Sequence, residues 1–367
     1  MMYKDNLVCI AKRENNTKRN YLVINRYQGK HIPVEPQNAF SMFADLAKLL
    51  KEQYQKERLL FIGFAETATA IGESLAATLN VSYMQTTREH IPKVDYLYFL
   101  ESHSHATEQR LVKNDLDCII DKIERIVFIE DEVTTGNTIL NIIRLIQDTY
   151  KNKVKFAVAS LLNGMNIEAQ QLYHKKNIDI LYLVKTNHNS YTEIAQNFLG
   201  DGIYHRKKIE PIEAEIEEIQ VFAGINARRL HQGSAYQAAC EKVWKELNQK
   251  ISIEKSQKIL VLGTEEFMYP ALYIAYKMQE MGKDVKCHST TRSPIVVSKE
   301  DSYPLQERYE LISLYEKDRT TYIYNLSVYD SVFIITDADC KEKEGLYSLY
   351  YAISSCGNKN INLIRWC

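Results

Sequence analysis

Apolar residues between positions 58 and 186 alternate between two patterns. Short continuous runs are typical of buried strands, and stretches with one apolar face are typical of helices. The runs predict strands at 59–64, 81–86, 96–100, 126–129, 154–162 and 178–185. The one-faced stretches predict helices at 37–57, 71–79, 139–146 and 166–176. This alternation favours a parallel sheet with helices on its faces, and therefore an α/β fold.

The second half of the chain has the same α/β character. Its patterns predict strands at 258–263, 284–289, 332–339 and 360–366, and helices near 234–250 and 271–278. The stretch 206–219 is dense in charged residues and contains one proline, so the domain boundary is placed there. The expected domains are 1–205 and 220–367, and two domains suit a chain of 367 residues.

The stretch 126–138 carries the strongest candidate chemistry. Glu130 and Asp131 follow an apolar strand, and a threonine-rich turn leads from them into a helix. Backbone N–H groups at such a turn, together with the positive end of the helix, suit a phosphate. Carboxylates at the end of the strand can accept hydrogen bonds from a ribose diol or bind a metal through water. The layout therefore suits a sugar phosphate. The turn residues are Thr134, Thr135, Gly136, Asn137 and Thr138.

The sequence Ile-Glu-Asp-Glu-Val-Thr-Thr-Gly-Asn-Thr resembles the phosphoribosyl-pyrophosphate (PRPP) motif of type I phosphoribosyltransferases. The resemblance implies that residues 134–138 hold the 5′-phosphate of PRPP. It also implies that Glu130 and Asp131 hold the ribose hydroxyls, stabilise positive charge on the sugar and bind Mg²⁺ indirectly, through PRPP or water. An ordinary buried strand and capped helix is the alternative, and it does not account for the acidic pair followed by Thr-Thr-Gly.

Two further segments are candidates for binding the pyrophosphate group of PRPP. The loop after the strand 59–64 matches by position the pyrophosphate loop of the resembled family, and its residues are Glu66, Thr67, Ala68 and Thr69. Arg88 follows the next strand and always carries a positive charge.

The polar segment 101–113 lies where type I enzymes carry a mobile loop that closes over the substrate and excludes water. Its candidate charged groups are His103, His105, Arg110 and Lys113. The two histidines are expected to be catalytic and Arg110 to bind PRPP. A solvated linker is one alternative. A metal pair formed by His-x-His is another, but no third ligand follows nearby.

Lys30 and His31 lie in a turn ahead of the first core helix, in Gln-Gly-Lys-His-Ile-Pro. Enzymes of the resembled family often place base-recognition residues in a hood over the active site. The two side chains are therefore candidates for binding the acceptor, and a surface loop is the alternative.

Residues 291–294, Thr-Arg-Ser-Pro, are the signature of the TRSP domain, which follows a phosphoribosyltransferase domain in a two-domain family. Together with the PRPP motif, the whole chain resembles that family, which is associated with bacterial tellurite-resistance and stress gene clusters. Family knowledge treats its members as phosphoribosyltransferases of unassigned substrate. The resemblance implies a type I phosphoribosyltransferase-like parallel sheet followed by a second, Rossmann-like α/β domain.

The two halves also share short sequences in the same order. Gly63-x-x-Glu66 parallels Gly263-x-x-Glu266, Thr-Thr-Arg88 parallels Thr-Thr-Arg292, and the strands that end in Asp131 and Asp337 are alike. The second domain is therefore interpreted as a diverged copy of the first. The alternative is a rhythm common to all Rossmann-like units. A second ligand pocket is predicted at Glu265, Glu266, Arg292, Ser293 and Asp337, with helix caps and surface salt bridges as the alternative.

Composition and charge are those of an ordinary soluble protein, with 45% apolar and 25% charged residues and a net charge of −1. The charge gives no argument for nucleic acid, and no apolar run is long enough to predict a membrane span. Seven scattered cysteines favour reduced thiols, and therefore a cytoplasmic protein.

The chain is therefore interpreted as a phosphoribosyltransferase that uses Mg²⁺ and PRPP, with a small-molecule acceptor resembling a nitrogenous base. Homodimers are common in the resembled family, so a homodimer is expected. A non-catalytic PRPP-sensing regulator is the alternative. A fused hydrolase or ligase has no supporting motif in the sequence.

Overall fold

The computed structural model describes residues 7–16, 19–100, 108–151, 154–209, 218–251, 258–340 and 343–367. No helix within these ranges is long and apolar enough to cross a lipid bilayer. The first elements are β1 (Val8–Lys12), β2 (Tyr21–Asn25), α1 (Pro36–Tyr54), β3 (Leu59–Gly63), α2 (Thr69–Leu79), β4 (Ser82–Gln85) and β5 (Tyr96–Leu100). They are followed by β6 (Glu108–Val112), α3 (Lys113–Ile119), β7 (Arg125–Val133), α4 (Asn137–Thr149), β8 (Lys155–Asn163), α5 (Ile167–Lys175), β9 (Ile178–Lys185), α6 (Tyr191–Asn197) and β10 (Ile203–His205).

The elements of the second half begin with β11 (Glu218–Val221), β12 (His231–Gln232), α7 (Gly233–Lys250), β13 (Lys258–Gly263), α8 (Tyr269–Glu280) and β14 (Asp284–Ser289). The chain ends with β15 (Glu307–Ile312), β16 (Thr320–Tyr324), β17 (Ser331–Thr336), α9 (Lys343–Ser355) and β18 (Ile361–Trp366). Strands and helices alternate over much of both halves, as the apolar patterns predict, but the antiparallel pairs β5-β6 and β15-β16 interrupt this alternation with consecutive strands.

Two compact units share the chain, and each combines segments that are distant in sequence. Unit 1 consists of residues 40–188 and 225–239. Unit 2 consists of residues 2–39, 189–224 and 240–367. The compact units are interleaved along the chain, so they do not correspond to two contiguous domains. The bounds 1–205 and 220–367 therefore stay predictions.

Unit 1 is built on a six-stranded sheet with the order β12-β4-β3-β7-β8-β9. The strands from β4 to β9 run parallel, and β12 runs antiparallel to β4 at one edge. Every residue of β3 is buried, which explains its continuous apolar sequence. The predicted parallel α/β sheet is confirmed. The carboxyl ends of its strands meet at one edge, where a ligand site is expected.

Two ion pairs, as well as β12, join the segment 225–239 to the rest of unit 1, and one of these pairs is buried. Arg229 Nη2 lies 2.6 Å from Asp115 Oδ1. His231 Nε2 lies 2.7 Å from Glu73 Oε2, and these two side chains are 5% and 3% exposed. Nδ1 of His231 donates to the carbonyl of Arg229 at 2.9 Å. Burial raises the pKa of Glu73, and the nearby imidazole acts in the opposite direction.

Unit 2 contains a five-stranded parallel sheet with the order β11-β18-β17-β13-β14. A three-stranded sheet, β10-β15-β16, and an antiparallel pair, β1-β2, belong to the same unit. The β1-β2 pair contributes to a buried apolar cluster of unit 2, which contains Cys9, Ala11, Leu22, Ile24, Ile295, Val297, Tyr303, Leu305 and Tyr324. The amino-terminal strands are therefore part of the core of unit 2.

The two parallel sheets share the order of their four matching strands. In unit 1 the order β4-β3-β7-β8 places the second, first, third and fourth parallel strands side by side. In unit 2 the order β14-β13-β17-β18 is the same. The fifth parallel strand occupies the same edge in both sheets, but β9 follows its sheet in sequence whereas β11 precedes it. An internal repeat requires the same strand order in both sheets, and the four matching strands meet this requirement.

Replacement of His231 by alanine is expected to lower the free energy of unfolding by about 3 kcal/mol, because it leaves the Glu73 carboxylate buried without its partner. Urea denaturation of the full chain measures the loss. Arg206→Ala is the matched control, because Arg206 pairs with Glu310 at 3.4 Å but is 87% exposed. The control should change stability by less than about 0.5 kcal/mol. Equal effects of the two substitutions would contradict a structural role of 225–239 in unit 1.

Candidate functional site

The candidate PRPP motif forms the end of β7, a turn and the start of α4. Residues 126–129 are fully buried, whereas Glu130 and Asp131 are half-buried. The sequence predicts that the two carboxylates follow the strand. In the structure β7 continues to Val133, so both carboxylates lie within it. They emerge where the strand leaves the core, at the carboxyl edge of the sheet.

The turn requires glycine at position 136 for two reasons. Gly136 has a φ of +70° and is the N-cap residue of α4. A Cβ atom there would lie 2.3 Å from the hydroxyl of Tyr173, which donates to the Gly136 carbonyl at 2.7 Å. The first-turn amides of a helix have no acceptor within that helix. The turn and the start of α4 therefore offer N–H groups and the positive helix end to an anion.

The loop after β3 reaches the acidic pair directly. Thr67 Oγ1 donates to Asp131 Oδ1 at 2.8 Å. Burial raises the pKa of Asp131, and the neighbouring charge of Glu132 raises it further, while the Thr67 hydrogen bond lowers it. The structure thus brings the predicted pyrophosphate loop and the predicted ribose-binding carboxylate together.

The other residues of this loop are buried at the start of α2. Glu66 is 7% exposed, Thr69 is 2% exposed and Ala68 is fully buried. Ala68 is the N-cap residue of α2, which begins at Thr69. These side chains have little free surface, so the loop offers a ligand mainly its backbone and Thr67.

Two polar side chains that the sequence did not single out hold this loop in place. Thr86 Oγ1 accepts a hydrogen bond from the amide of Ala65 at 2.8 Å and donates to the Gln109 side chain. The Gln109 amide in turn donates to the carbonyl of Ala65 at 3.1 Å. The sequence did not predict this role of Gln109, because the residue lies in a polar stretch that predicts a loop. In the structure it belongs to β6, which pairs with β5.

A separate backbone bridge between Thr87 and Arg110 brings the chain positions of the two predicted PRPP-binding arginines close together. The amides of Thr87 and Arg110 donate to each other's carbonyls at 2.8 and 3.0 Å. Arg88 follows Thr87 directly in sequence. The Arg110 guanidinium lies 5.7 Å from the ring centre of Tyr96 and 5.9 Å from that of Tyr98. Aromatic faces support a cation in this way.

A second polar group lies at the ends of β7, β8 and β9 and was not predicted. His188 Nε2 lies 3.2 Å from Glu132 Oε1 and 2.8 Å from the Thr186 hydroxyl. The Lys185 ammonium donates to the carbonyl of Asn163 at 3.1 Å, and burial lowers the pKa of Lys185. The sequence could have predicted this group, because its residues lie at the carboxyl ends of predicted parallel strands, at the same sheet edge as Asp131.

The predicted acceptor residues, Lys30 and His31, have a different position from the one expected. Both are at most 2% exposed and belong to unit 2. The Lys30 ammonium donates to the carbonyls of Glu265 and Thr290 at 2.5 and 2.8 Å and to Ser289 Oγ at 3.2 Å. Lys30 is thus a buried structural cation of unit 2, because its donors are used by the protein. This corrects the expectation of a hood over the acceptor.

The predicted second-domain pocket contains a closed network of ion pairs. Glu265 Oε2 accepts from Arg292 Nε at 2.7 Å and from Arg319 Nη1 at 3.0 Å. Glu266 Oε1 accepts from Arg292 Nη2 at 3.2 Å. The sequence did not predict that Arg319 joins this network, because the residue lies in a polar stretch directly before β16.

The other two predicted pocket residues lie outside this network of ion pairs. Asp337 Oδ1 accepts a hydrogen bond from the Tyr315 hydroxyl at 2.6 Å. Ser293 contributes backbone hydrogen bonds, with its amide donating to Thr291 Oγ1 at 3.2 Å and its carbonyl accepting from the Tyr324 hydroxyl at 2.7 Å.

His103 and His105 lie outside the residues that the structure describes. Residues 108–112 of the predicted mobile segment form β6, and Lys113 begins α3. In the described part of the chain, no group of three or more His, Cys, Asp or Glu side chains is arranged to hold a metal ion by itself.

Comparison with known proteins finds two family models that match successive parts of the sequence. Residues 7–187 match the family model of a phosphoribosyl transferase, and residues 226–352 match the TRSP domain found C-terminal to it. No curated protein matches the chain closely enough to be a relative.

Solved structures with partial similarity include two adenine phosphoribosyltransferases. The enzyme from Trypanosoma brucei, in complex with AMP, pyrophosphate and ribose-5-phosphate, is 16% identical, with a TM-score of 0.35 over 49% of this chain and 76% of that one. The enzyme from Rhodothermus marinus is 15% identical, with a TM-score of 0.36 over 49% of this chain and 94% of that one. On the two family matches, the chain belongs to the family of phosphoribosyltransferases that carry a TRSP domain after the transferase domain.

Proposed function

We propose that this protein transfers the 5-phosphoribosyl group of PRPP to a base-like acceptor and releases pyrophosphate. The observation that carries the proposal is the hydrogen bond from Thr67 Oγ1 to Asp131 Oδ1 at 2.8 Å. It joins the candidate pyrophosphate loop to the candidate ribose-binding carboxylate at one sheet edge. PRPP carries its pyrophosphate on C1 and its ribose hydroxyls on C2 and C3 of the same ring, so it needs these two elements side by side.

The 5′-phosphate is assigned to Thr134, Thr135, Gly136, Asn137 and Thr138. The positive φ of Gly136 and the start of α4 support this assignment. Backbone N–H groups would hold the phosphate oxygens, and the threonine hydroxyls would add further donors.

The ribose hydroxyls are assigned to Glu130 and Asp131, whose carboxylates accept hydrogen bonds. Negative charge beside the ring also stabilises the positive charge that develops on the sugar as the bond from C1 to the pyrophosphate oxygen breaks. A nitrogen of the acceptor then forms the new bond to C1, and pyrophosphate leaves with the bonding electrons. Positioning and electrostatics suffice for this step, and no protein nucleophile is needed.

Mg²⁺ is proposed as the cofactor, bound mainly through PRPP. The two half-buried carboxylates of β7 fit this arrangement, because Mg²⁺ is usually held by one or two carboxylates together with substrate phosphates and water. The ion would offset negative charge on the departing pyrophosphate.

The pyrophosphate is assigned to the loop 66–69 with Arg88 and Arg110. Thr86 and Gln109 act as positioning residues, because they fix the backbone at Ala65. Residues 101–107, with His103 and His105, are proposed as the lid that excludes water from the reacting sugar.

The acceptor is proposed to bind beside Glu132 and His188. Glu132 directly follows Asp131, and strand pairing sets Val133 beside Asn163 and Asn163 beside Lys185. The buried Nδ2 of Asn163 has no hydrogen-bond partner among the described residues, which supports a donor role toward the acceptor.

We further propose that the protein acts in the cytoplasm as a homodimer. Its family is associated with stress and tellurite-resistance gene clusters, and we propose the same setting for this protein.

Release of pyrophosphate from PRPP and Mg²⁺, measured with a panel of nucleobase-like acceptors, tests the function. We expect Asp131→Asn to lower the rate at least about 100-fold, because the loss of one preorganised charge in a site has effects of this size. Asp148→Asn is the control, since Asp148 is exposed near the far end of α4. An unchanged rate in Asp131→Asn would contradict the assignment. PRPP binding without release for any acceptor would favour a PRPP-sensing regulator.

A pair of substitutions at Thr67 tests the link between the two loops. Thr67→Val removes the hydroxyl that donates to Asp131 and keeps the shape of the side chain, so PRPP affinity should fall about tenfold. Thr67→Ser keeps the donor and should change affinity less than about threefold. Equal affinities of the two variants, measured by competition with a fluorescent PRPP analogue, would remove this hydrogen bond from the proposal.

The stability of Asp131→Asn relative to wild type should depend on pH. The pKa of Asp131 is raised in the folded protein, chiefly by burial, so its contribution to stability is present below about pH 4 and is lost as the pH rises through the folded value. The variant should therefore gain stability relative to wild type as the pH rises from 5 to 8. Urea unfolding at both pH values measures this gain. A variant that is less stable than wild type at pH 8 would show that the carboxylate serves the fold.

A further inference from the structure

The sheets of the two units agree in register as well as in strand order. In unit 1, Gly63 at the end of β3 pairs with Gln85 of β4 and Ile129 of β7. In unit 2, Gly263 at the end of β13 pairs with Ser289 of β14 and Ile335 of β17. The loops that follow Gly63 and Gly263 therefore leave their sheets at the same place.

The backbone around these loops is held by matching hydrogen bonds. Ala65 N donates to Thr86 Oγ1 at 2.8 Å, and Glu265 N donates to Thr290 Oγ1 at 3.0 Å. The amide of each threonine donates to the carbonyl of the glycine that ends the first strand, at 2.9 Å in unit 1 and 3.2 Å in unit 2. Ala65 and Glu265 are thus equivalent positions.

The hairpins beside the loops match in the same way. Thr87 exchanges two backbone hydrogen bonds with Arg110 in the hairpin β5-β6. Thr291 exchanges two with Tyr322 in the hairpin β15-β16. The segment between the hairpin strands has the same length in both units, 101–107 and 313–319. Consequently Arg292 is the equivalent of Arg88, and 313–319 is the equivalent of the proposed lid.

The chemistry of the two loops differs at one decisive position. Ala65 has only a methyl side chain, whereas Glu265 places a carboxylate among groups that would otherwise face an anion. Its Oε2 accepts from Arg292 and Arg319, and its Oε1 accepts from Ser313 Oγ at 2.5 Å. Glu265 is 2% exposed, Arg292 9% and Arg319 17% as side chains. The carboxylate thus takes hydrogen bonds from the arginine equivalent to Arg88 and from both ends of the segment 313–319.

Two further contacts fix this arrangement. The Lys30 ammonium binds the carbonyl of Glu265 at 2.5 Å and so holds the loop from its backbone side. Asp337, the equivalent of Asp131 by strand register, accepts from the Tyr315 hydroxyl, which lies in the same segment as Ser313 and Arg319. The segment is therefore closed over the loop by side chains of unit 2 itself.

We propose that unit 2 is a second copy of the phosphoribosyltransferase fold in which the Glu265 carboxylate occupies the anion position that pyrophosphate takes in unit 1. The site of unit 2 is closed to phosphate-type ligands while the carboxylate is present, so this site of the wild-type chain does not take pyrophosphate. Removal of the carboxylate takes away the acceptor that Arg292 and Arg319 share, while Arg292 stays paired with Glu266 and Arg319 with Glu316, and the loop then takes inorganic pyrophosphate. The comparison with unit 1 rests on the function proposed above, but the closed network of unit 2 does not.

Equilibrium dialysis of the full chain with radiolabelled inorganic pyrophosphate and Mg²⁺ tests this proposal. Wild type should bind one pyrophosphate, and Glu265→Ala, which gives unit 2 the residue of unit 1, should bind two. Glu265→Ala combined with Arg292→Ala should return to one. If Glu265→Ala does not fold, Glu265→Gln keeps the shape, removes the charge and is tested in its place.

The outcomes separate this proposal from the proposed function. Two pyrophosphates on wild type would show an open second site and would overturn the inference. A folded Glu265 variant, identified by its melting curve, that gains no pyrophosphate would overturn it as well. If wild type binds none and the Glu265 variant binds one, the proposed site of unit 1 fails while the closed site of unit 2 stands.

Discussion

The parallel pairing of β7 with β3 is the constraint on which the candidate site depends. Parallel neighbours end at the same edge of a sheet, and the register of Gly63 beside Ile129 fixes where each chain leaves it. Glu130 and Asp131 emerge from β7 at the level where the loop 65–69 leaves β3. A shift of one residue in this register would turn Asp131 to the other face and break its hydrogen bond with Thr67. The buried apolar runs in both strands make such a shift costly, so the core of the sheet also positions the chemistry.

The apolar patterns predicted the parallel sheets well, because strands buried on both faces must be continuously apolar. They did not predict β15 and β16. The sequence of β16, Thr-Thr-Tyr-Ile-Tyr, mixes polar and aromatic residues, as suits a strand outside the main sheet. The interleaving of the units was also beyond local patterns. It depends on contacts such as Lys30 with Glu265, which are far apart in sequence and leave no periodic signal.

The candidate site was predicted where a motif defines it and missed where partners come from distant strands. Asp131 lies near the carboxyl end of β7 and Thr67 follows β3 in the same parallel sheet, so their proximity could be expected. Gln109 could not be found this way, because its role is to hold the backbone of Ala65 across an antiparallel hairpin. Lys30 shows a different limit of the sequence. It was predicted to face a ligand because it lies in a polar turn, but a cation in such a turn need not be exposed, and Lys30 is buried in unit 2.

The two units show how one backbone plan supports different chemistry. The same loop and the same threonine hydrogen bond occur in each, with alanine at the equivalent position in unit 1 and glutamate in unit 2. Folds persist while sites change, because the sheet is specified by many buried residues and the site by a few. The carboxylate of Glu265 pairs with both Arg292 and Arg319, so in unit 2 these cations are held by side chains of the protein itself.

Calorimetric titration of PRPP into the wild-type chain, with and without Mg²⁺, tests most directly whether the edge formed by β3 and β7 is a PRPP site. Saturable binding with one PRPP per chain that strengthens with Mg²⁺ and is lost in Asp131→Asn is the expected result. Absence of binding under all these conditions, or full binding by Asp131→Asn, would contradict the assignment of the site to the acidic pair of β7.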